Sequence, residues 1–122
     1  MKKILEHIEN LSSYSDTTIV RPYIIAEAGV NHEGDLKNAK LLIKQASDGG
    51  ADAIKFQSYK AEKLASKQSP AYWDTNKEKT ESQFKLFKKY DNFEFKDYEI
   101  LKDHCDSHNI EFLSTPFDID SA

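Results

Sequence analysis

The segment YIIAEAGVNHEGDLKNAKLLIKQASDGGADAIKFQ, residues 23–57, changes its hydrophobic period twice. The wider stretch Ile19–Ala28, IVRPYIIAEA, is rich in β-branched residues and reads as a strand, with Pro22 placing the start of regular pairing near Tyr23. Gly29–Gly34 is turn-rich, and Asp35 suits the N-cap of a helix whose Leu36, Ala39, Leu42, Ile43 and Ala46 share one face. Gly49-Gly50 ends that helix, and ADAIKFQ, Ala51–Gln57, is a second short strand. Strand, helix and strand in this order form the βαβ unit of a parallel sheet.

The same pattern continues outward. Ser58–Lys79 is a long connection carrying Pro70, Tyr72 and Trp73; segments at helical spacing follow over Thr80–Tyr90 and Phe95–His108. IEFLSTPFD, Ile110–Asp118, is a third strand ended by Pro116. Upstream, Ile4, Leu5, Ile8 and Leu11 predict a short amphipathic helix. With 122 residues and 39% hydrophobic content the chain has the size of one unit with one modest core.

Charge and composition exclude several function classes. Seventeen basic against 21 acidic residues, net −4, leave no basic stripe for nucleic acid or an anionic membrane surface. One cysteine, Cys105, forms no internal disulfide, and no apolar run approaches the roughly 20 residues that span a bilayer. Glu6, His7, Glu9 and Asn10 interrupt what a signal peptide needs as an apolar core, so a cytoplasmic setting is expected.

Strand alternation then sorts the side chains. Tyr23, Ile25 and Glu27 share one face with Ala53, Lys55 and Gln57 and with Leu113 and Thr115; Ile24, Ile54, Phe56, Ile110 and Phe112 take the other. The second set is apolar enough to lie under the crossover helices, whereas the first becomes polar toward the carboxyl end of each strand. Sites of parallel α/β folds are built at those ends. A lysine and a threonine hydroxyl converging there suit a phosphate or carboxylate, the Gln57 amide suits a hydroxyl, and Glu27 suits a polyol or water. The alternative is that Lys55 and Glu27 form a structural ion pair across neighbouring strands.

Other residues carry weaker signals. His104 and His108, four apart with Cys105 between them, have a zinc-compatible spacing without a third ligand in register, which favours surface placement. His32 either touches substrate or braces its turn, and the brace is favoured; Glu33, Gly34 and Asp35 lack the ligand alternation of a calcium loop. Tyr72 and Trp73 suit a lid or subunit contact as well as local packing. Cys105 has no recognisable activating base and reads as a small core residue.

Four blocks, IIAEAGVNHEGDLKNAKLLI, GGADAIKFQSYKAEKL, ESQFKLFKK and IEFLSTPFD, resemble the sialic acid synthases, which include N-acetylneuraminate, legionaminic and pseudaminic acid synthases and related spore-coat polysaccharide proteins. The likeness covers about residues 22–122 in the family's order. It implies an α/β fold, the N-terminal portion of a (β/α)8 TIM barrel with about three parallel strands and their crossover helices. It also implies condensation of phosphoenolpyruvate with an N-acetylated amino sugar such as N-acetylmannosamine, giving a nine-carbon 2-keto acid and phosphate. A divalent metal, manganese or magnesium, and a homodimer are implied for the complete enzyme.

By the same resemblance Lys55 and Thr115 bind phosphoenolpyruvate, Glu27 and Gln57 bind the sugar or orient the reaction, and Asn76 contacts the sugar. A full barrel takes about 250 residues. Residues 1–20 are therefore expected to be an N-terminal extension and 21–122 a partial, truncated barrel domain, with the metal-binding histidines, further phosphate-binding residues and a C-terminal antifreeze-like domain beyond Ala122. An open sheet of this kind is expected to be poorly stable, prone to associate, and inactive alone. The rival expectations are a non-catalytic binding or assembly module, and a related phosphoenolpyruvate-condensing synthase with another acceptor sugar.

Overall fold

In a computed structural model the protein is described over residues 2–11 and 20–122. Ile19, expected in the first strand, and residues 12–19 of the expected extension lie outside the described residues. The elements are α1 (Lys2–Leu11), β1 (Ile25–Gly29), α2 (Leu36–Asp48), β2 (Ala53–Ser58), a one-turn α3 (Ala61–Leu64), α4 (Gln83–Tyr90), α5 (Phe95–Ser107), β3 (Glu111–Pro116) and a closing 3-10 turn, Ile119–Ser121.

The three strands pair in parallel in the order β1-β2-β3, with Ile25 opposite Ala53 and Ala53 opposite Glu111. Sequential order separates this sheet from doubly wound folds, whose strand order reverses at a switch point. The crossover helices α2 and α5 pack on each other as well as on the strands, so they lie side by side on one face. That is the geometry of a barrel wall, helices outside and the other strand face turned inward.

Local chemistry explains the element ends. The Asp35 carboxylate accepts the Lys37 N–H at 2.7 Å and caps α2, and Gly50 takes φ +78 where the helix stops. Ser82 caps α4 through the Lys85 N–H, which moves the helix start from the expected Thr80 to Gln83. Glu94 and Asp97 form a reciprocal capping box on α5. β1 starts at Ile25 rather than near Tyr23 because the Asp52 carboxylate takes the Ile24 N–H at 2.8 Å, while both Nη1 contacts of Arg21 hold that carboxylate in place.

The core lies between sheet and helices: Ala28, Ile54, Phe56 and Ile110 meet Ala39, Ile43, Leu101 and Cys105, with Phe93 completing the cluster. This is the face read as apolar from the sequence, except that Ile24 is exposed, because it precedes the paired region. At the amino end of the strands α1 docks on the sheet. Lys3 donates to the Asn109 carbonyl and side chain, the Ile4 N–H to Glu111, and His7 lies 5.7 Å from the Tyr23 ring.

The connection after β1 carries one position that admits no side chain. Gly34 has φ +73, and a Cβ there would run into the Asn92 carboxamide. Gly34→Ala should therefore cost at least the roughly 1–3 kcal/mol of a left-handed non-glycine residue, read as a lower urea midpoint with an unchanged slope.

Candidate active site

The carboxyl ends of the strands gather the polar residues. Register places Glu27 opposite Lys55 and Gln57 opposite Thr115, so the four side chains form two adjacent rows on the inner face. Lys55 Nζ stands 3.0 Å from Glu27 Oε2. The second carboxylate oxygen, Oε1, lies beside the bare Cα of Gly29: a Cβ on Gly29 would sit 3.4 Å from it and 3.6 Å from Gln57 Nε2. Glu27, Lys55 and Gln57 thus converge on one spot, and the missing side chain of Gly29 leaves room for them.

Gly29 is the residue that sequence reasoning passed over. It has φ +53, and the pairing of β1 shifts between Glu27 and Gly29, so that Gly29 faces Phe56. The slip skips Ala28, and the ladder ends at Gly29, where the chain turns away from the rim. A glycine closing a strand pattern was the available signal.

The Lys55–Glu27 pair realises the geometry of a structural ion pair, and within this chain it adds little to the fold. The two side chains are 38% and 50% exposed, and ion pairs in that setting contribute about 0–1 kcal/mol. So weak a contact can be exchanged for an anionic ligand at little cost to the fold. By contrast Lys60, also at the end of β2, is committed: its ammonium reaches Glu94 at 3.1 Å and Asp91 at 3.5 Å. Its pKa is raised even though burial opposes this, because the hydrogen bond to Glu94 and the Asp91 charge outweigh the desolvation.

Asn76 is engaged in its own turn. Its backbone N–H and its carboxamide both donate to Asp74 Oδ1 at 3.0 Å, in a turn of the exposed connection between α3 and α4. In the same connection Trp73 is anchored locally, its Nε1–H donating to the Glu78 and Thr80 carbonyls, while Tyr72 packs edge-on to it and stays exposed.

His32 braces its own turn: Nδ1 accepts the Gly34 N–H at 3.0 Å. His104 and His108 pack with ring centroids 4.3 Å apart, and among the described residues no group of three or more His, Cys, Asp or Glu side chains is placed to hold a metal ion. The described residues therefore do not by themselves fit a metal centre. No helix among the described residues is long and apolar enough to cross a membrane.

Cys105 is fully buried, and burial pushes its thiol up to about 12. A thiolate is the reactive form, so at pH 8 the folded chain should resist a thiol reagent such as DTNB and react on unfolding in urea. Rapid labelling of the folded chain would contradict the packing of α5.

Comparison with known proteins follows the same line. The NeuB family profile matches residues 42–122. An N,N'-diacetyllegionaminic acid synthase of Campylobacter jejuni is 48% identical over 102 residues, 81% of this chain and 30% of its own length. The Legionella pneumophila protein of the same name is 43% identical over 98 residues, 79% and 27% of the two chains. The crystal structure of an N-acetylneuraminic acid synthetase from Leptospira borgpetersenii, solved with citrate, superposes with a TM-score of 0.66 at 34% identity, covering 88% of this chain and 35% of that one. The chain thus spans under a third of the curated relatives' length, and its three strands correspond to the N-terminal part of a synthase barrel.

Proposed function

This chain belongs to the NeuB family, and from that premise we propose that residues 21–122 form one wall of a phosphoenolpyruvate-condensing synthase site, with residues 1–20 as an extension. The observation that carries the reading is the convergence of Glu27, Lys55 and Gln57 at the strand ends, with Thr115 in register beside them.

In this reading the Lys55 ammonium leaves Glu27 and binds the anionic phosphoenolpyruvate, with the Thr115 hydroxyl donating to the same ligand. Glu27, freed from Lys55, accepts from hydroxyls of an N-acetylated amino sugar and holds its aldehyde toward the enol carbon, and the Gln57 amide donates to a neighbouring oxygen. The methylene carbon of phosphoenolpyruvate bonds to the aldehyde carbon, whose oxygen takes up a proton, and water supplies the oxygen and proton consumed as phosphate leaves, giving a nine-carbon 2-keto acid. Asn76 would meet the sugar through its carboxamide oxygen or the N–H that it does not give to Asp74. The divalent metal of the complete enzyme would take its ligands from the remaining strands. The cytoplasm and a homodimer complete the proposal.

For the acceptor, N-acetylmannosamine is the first reading. The two legionaminic acid synthases at 48% and 43% identity favour a second, in which the acceptor is a diacetylated amino sugar of the same length.

Joining this chain to the remaining strands of the Campylobacter relative tests the proposal. Phosphate release that requires both phosphoenolpyruvate and the amino sugar is expected. A folded joined protein that binds neither would instead mark this chain as an assembly module.

A further inference from the structure

His32 has no role in the site as described, yet it is only 2% exposed and is the one fully buried side chain of its turn. Its imidazole stacks on Phe93 with ring centroids 4.3 Å and planes 10° apart, and Phe56 lies 6.0 Å away. Because Nδ1 accepts the Gly34 N–H, the neutral ring carries its proton on Nε2. That nitrogen is buried with no hydrogen-bond partner among the described residues. An unpartnered donor in the core is costly, which makes the position of the ring a feature to be explained rather than a packing accident.

The ring joins three segments. The connection that stacks on it through Phe93 also presses Asn92 against Gly34. The turn itself is a run of tight hydrogen bonds, Asn31 N–H to Ala28, Glu33 N–H to Val30 and Asp35 N–H to His32, each 2.9–3.0 Å, with Glu33 and Gly34 at positive φ. Directly upstream stands Gly29, whose Cα borders both Glu27 and Gln57. Movement of the turn therefore reaches the rim within a few residues.

We propose that His32 is a positioning residue: its imidazole bolts the β1–α2 turn to the α4–α5 connection and thereby sets Glu27 and Gly29 against Gln57. The assignment rests on the reading of the rim given above. Protonation opposes the bolt, because an imidazolium bears N–H on both nitrogens and Nδ1 would face the Gly34 N–H donor to donor. Burial already holds the ring below its ordinary value. The charged groups nearby are turned elsewhere: Asp35 to Lys37, Asp91 to Ala61 and Lys60, Glu94 to Lys60, Lys55 to Glu27, and Glu33 to solvent.

Nitrogen-15 NMR of the full chain through a pH titration tests this. At neutral pH the His32 proton should sit on Nε2. As His32 titrates, below the ordinary imidazole range, the amides of Gly34 and Gly29 and the side-chain amide of Gln57 should shift with the same midpoint. His32→Phe keeps an aromatic ring on Phe93 but neither accepts nor titrates, and should abolish those linked shifts. A residue that braces only its own turn would move Gly34 alone. The proposal is overturned if Gly29 and Gln57 stay still while His32 titrates, if they titrate unchanged in His32→Phe, or if the proton resides on Nδ1. None of these readouts uses substrate, so failure of phosphoenolpyruvate to bind the rim would sink the functional reading and leave this one standing, and the reverse also holds.

Discussion

In the joined protein, Lys55→Ala weakens phosphoenolpyruvate binding by about ten- to a hundredfold and leaves sugar binding nearly unchanged. The size follows from losing a hydrogen bond to a charged group, about 1.5–3 kcal/mol, at about 1.4 kcal/mol per factor of ten. The selectivity follows from the proposed division of the rim, in which Lys55 is the cation that meets the anion and Glu27, its partner at 3.0 Å, is the group assigned to the sugar. In this chain by itself stability should hardly change, because a pair this exposed contributes at most about 1 kcal/mol. Isothermal titration with each ligand separately checks the first point and a urea melt the second. Equal weakening for both ligands would mean that Lys55 supports the site as a whole rather than the anion.

Phe56→Ala has the largest expected effect on the fold, a loss of about 3–5 kcal/mol. Phe56 is fully buried in the central strand, stacks on Phe112 at 5.7 Å and borders His32, so its removal opens the core where sheet and helices meet. Domains of this size hold about 5–15 kcal/mol in total, so the variant should be partly or wholly unfolded at room temperature by circular dichroism. Ile119→Ala is the matched control: the side chain is 93% exposed and its loss should stay within about 0.5 kcal/mol. Similar losses for both would contradict the placement of the core.

The parts of the fold legible in the sequence are those encoded by local patterns. Leu36, Ala39, Leu42, Ile43 and Ala46 face the core of α2 as their spacing required, and Asp35 caps that helix. Ile54, Phe56 and Phe112 pack under the helices, which leaves Lys55, Gln57 and Thr115 on the opposite face of their strands.

What stayed hidden depends on partners distant in sequence. The late start of β1 is set by Asp52, whose carboxylate takes the place of a strand neighbour for Ile24. The single turn α3 inside the long connection is fixed by Asp91, whose carboxylate accepts the Ala61 N–H at 2.9 Å from thirty residues away. The stack of His32 on Phe93 joins two segments with no shared period. Side-chain capture of a backbone group leaves no periodic trace, and the contact of Lys55 with Glu27 depends on a register between strands that neither strand's own pattern encodes.

The central claim is that Lys55 exchanges Glu27 for an anionic substrate. A crystal structure of the joined protein with phosphoenolpyruvate tests it most directly. The account predicts a phosphate or carboxylate oxygen within about 3 Å of Lys55 Nζ, the Thr115 hydroxyl on the same ligand, and Glu27 released toward the sugar side. Phosphoenolpyruvate bound elsewhere, with Lys55 still on Glu27, would contradict it and return the pair to a purely structural role.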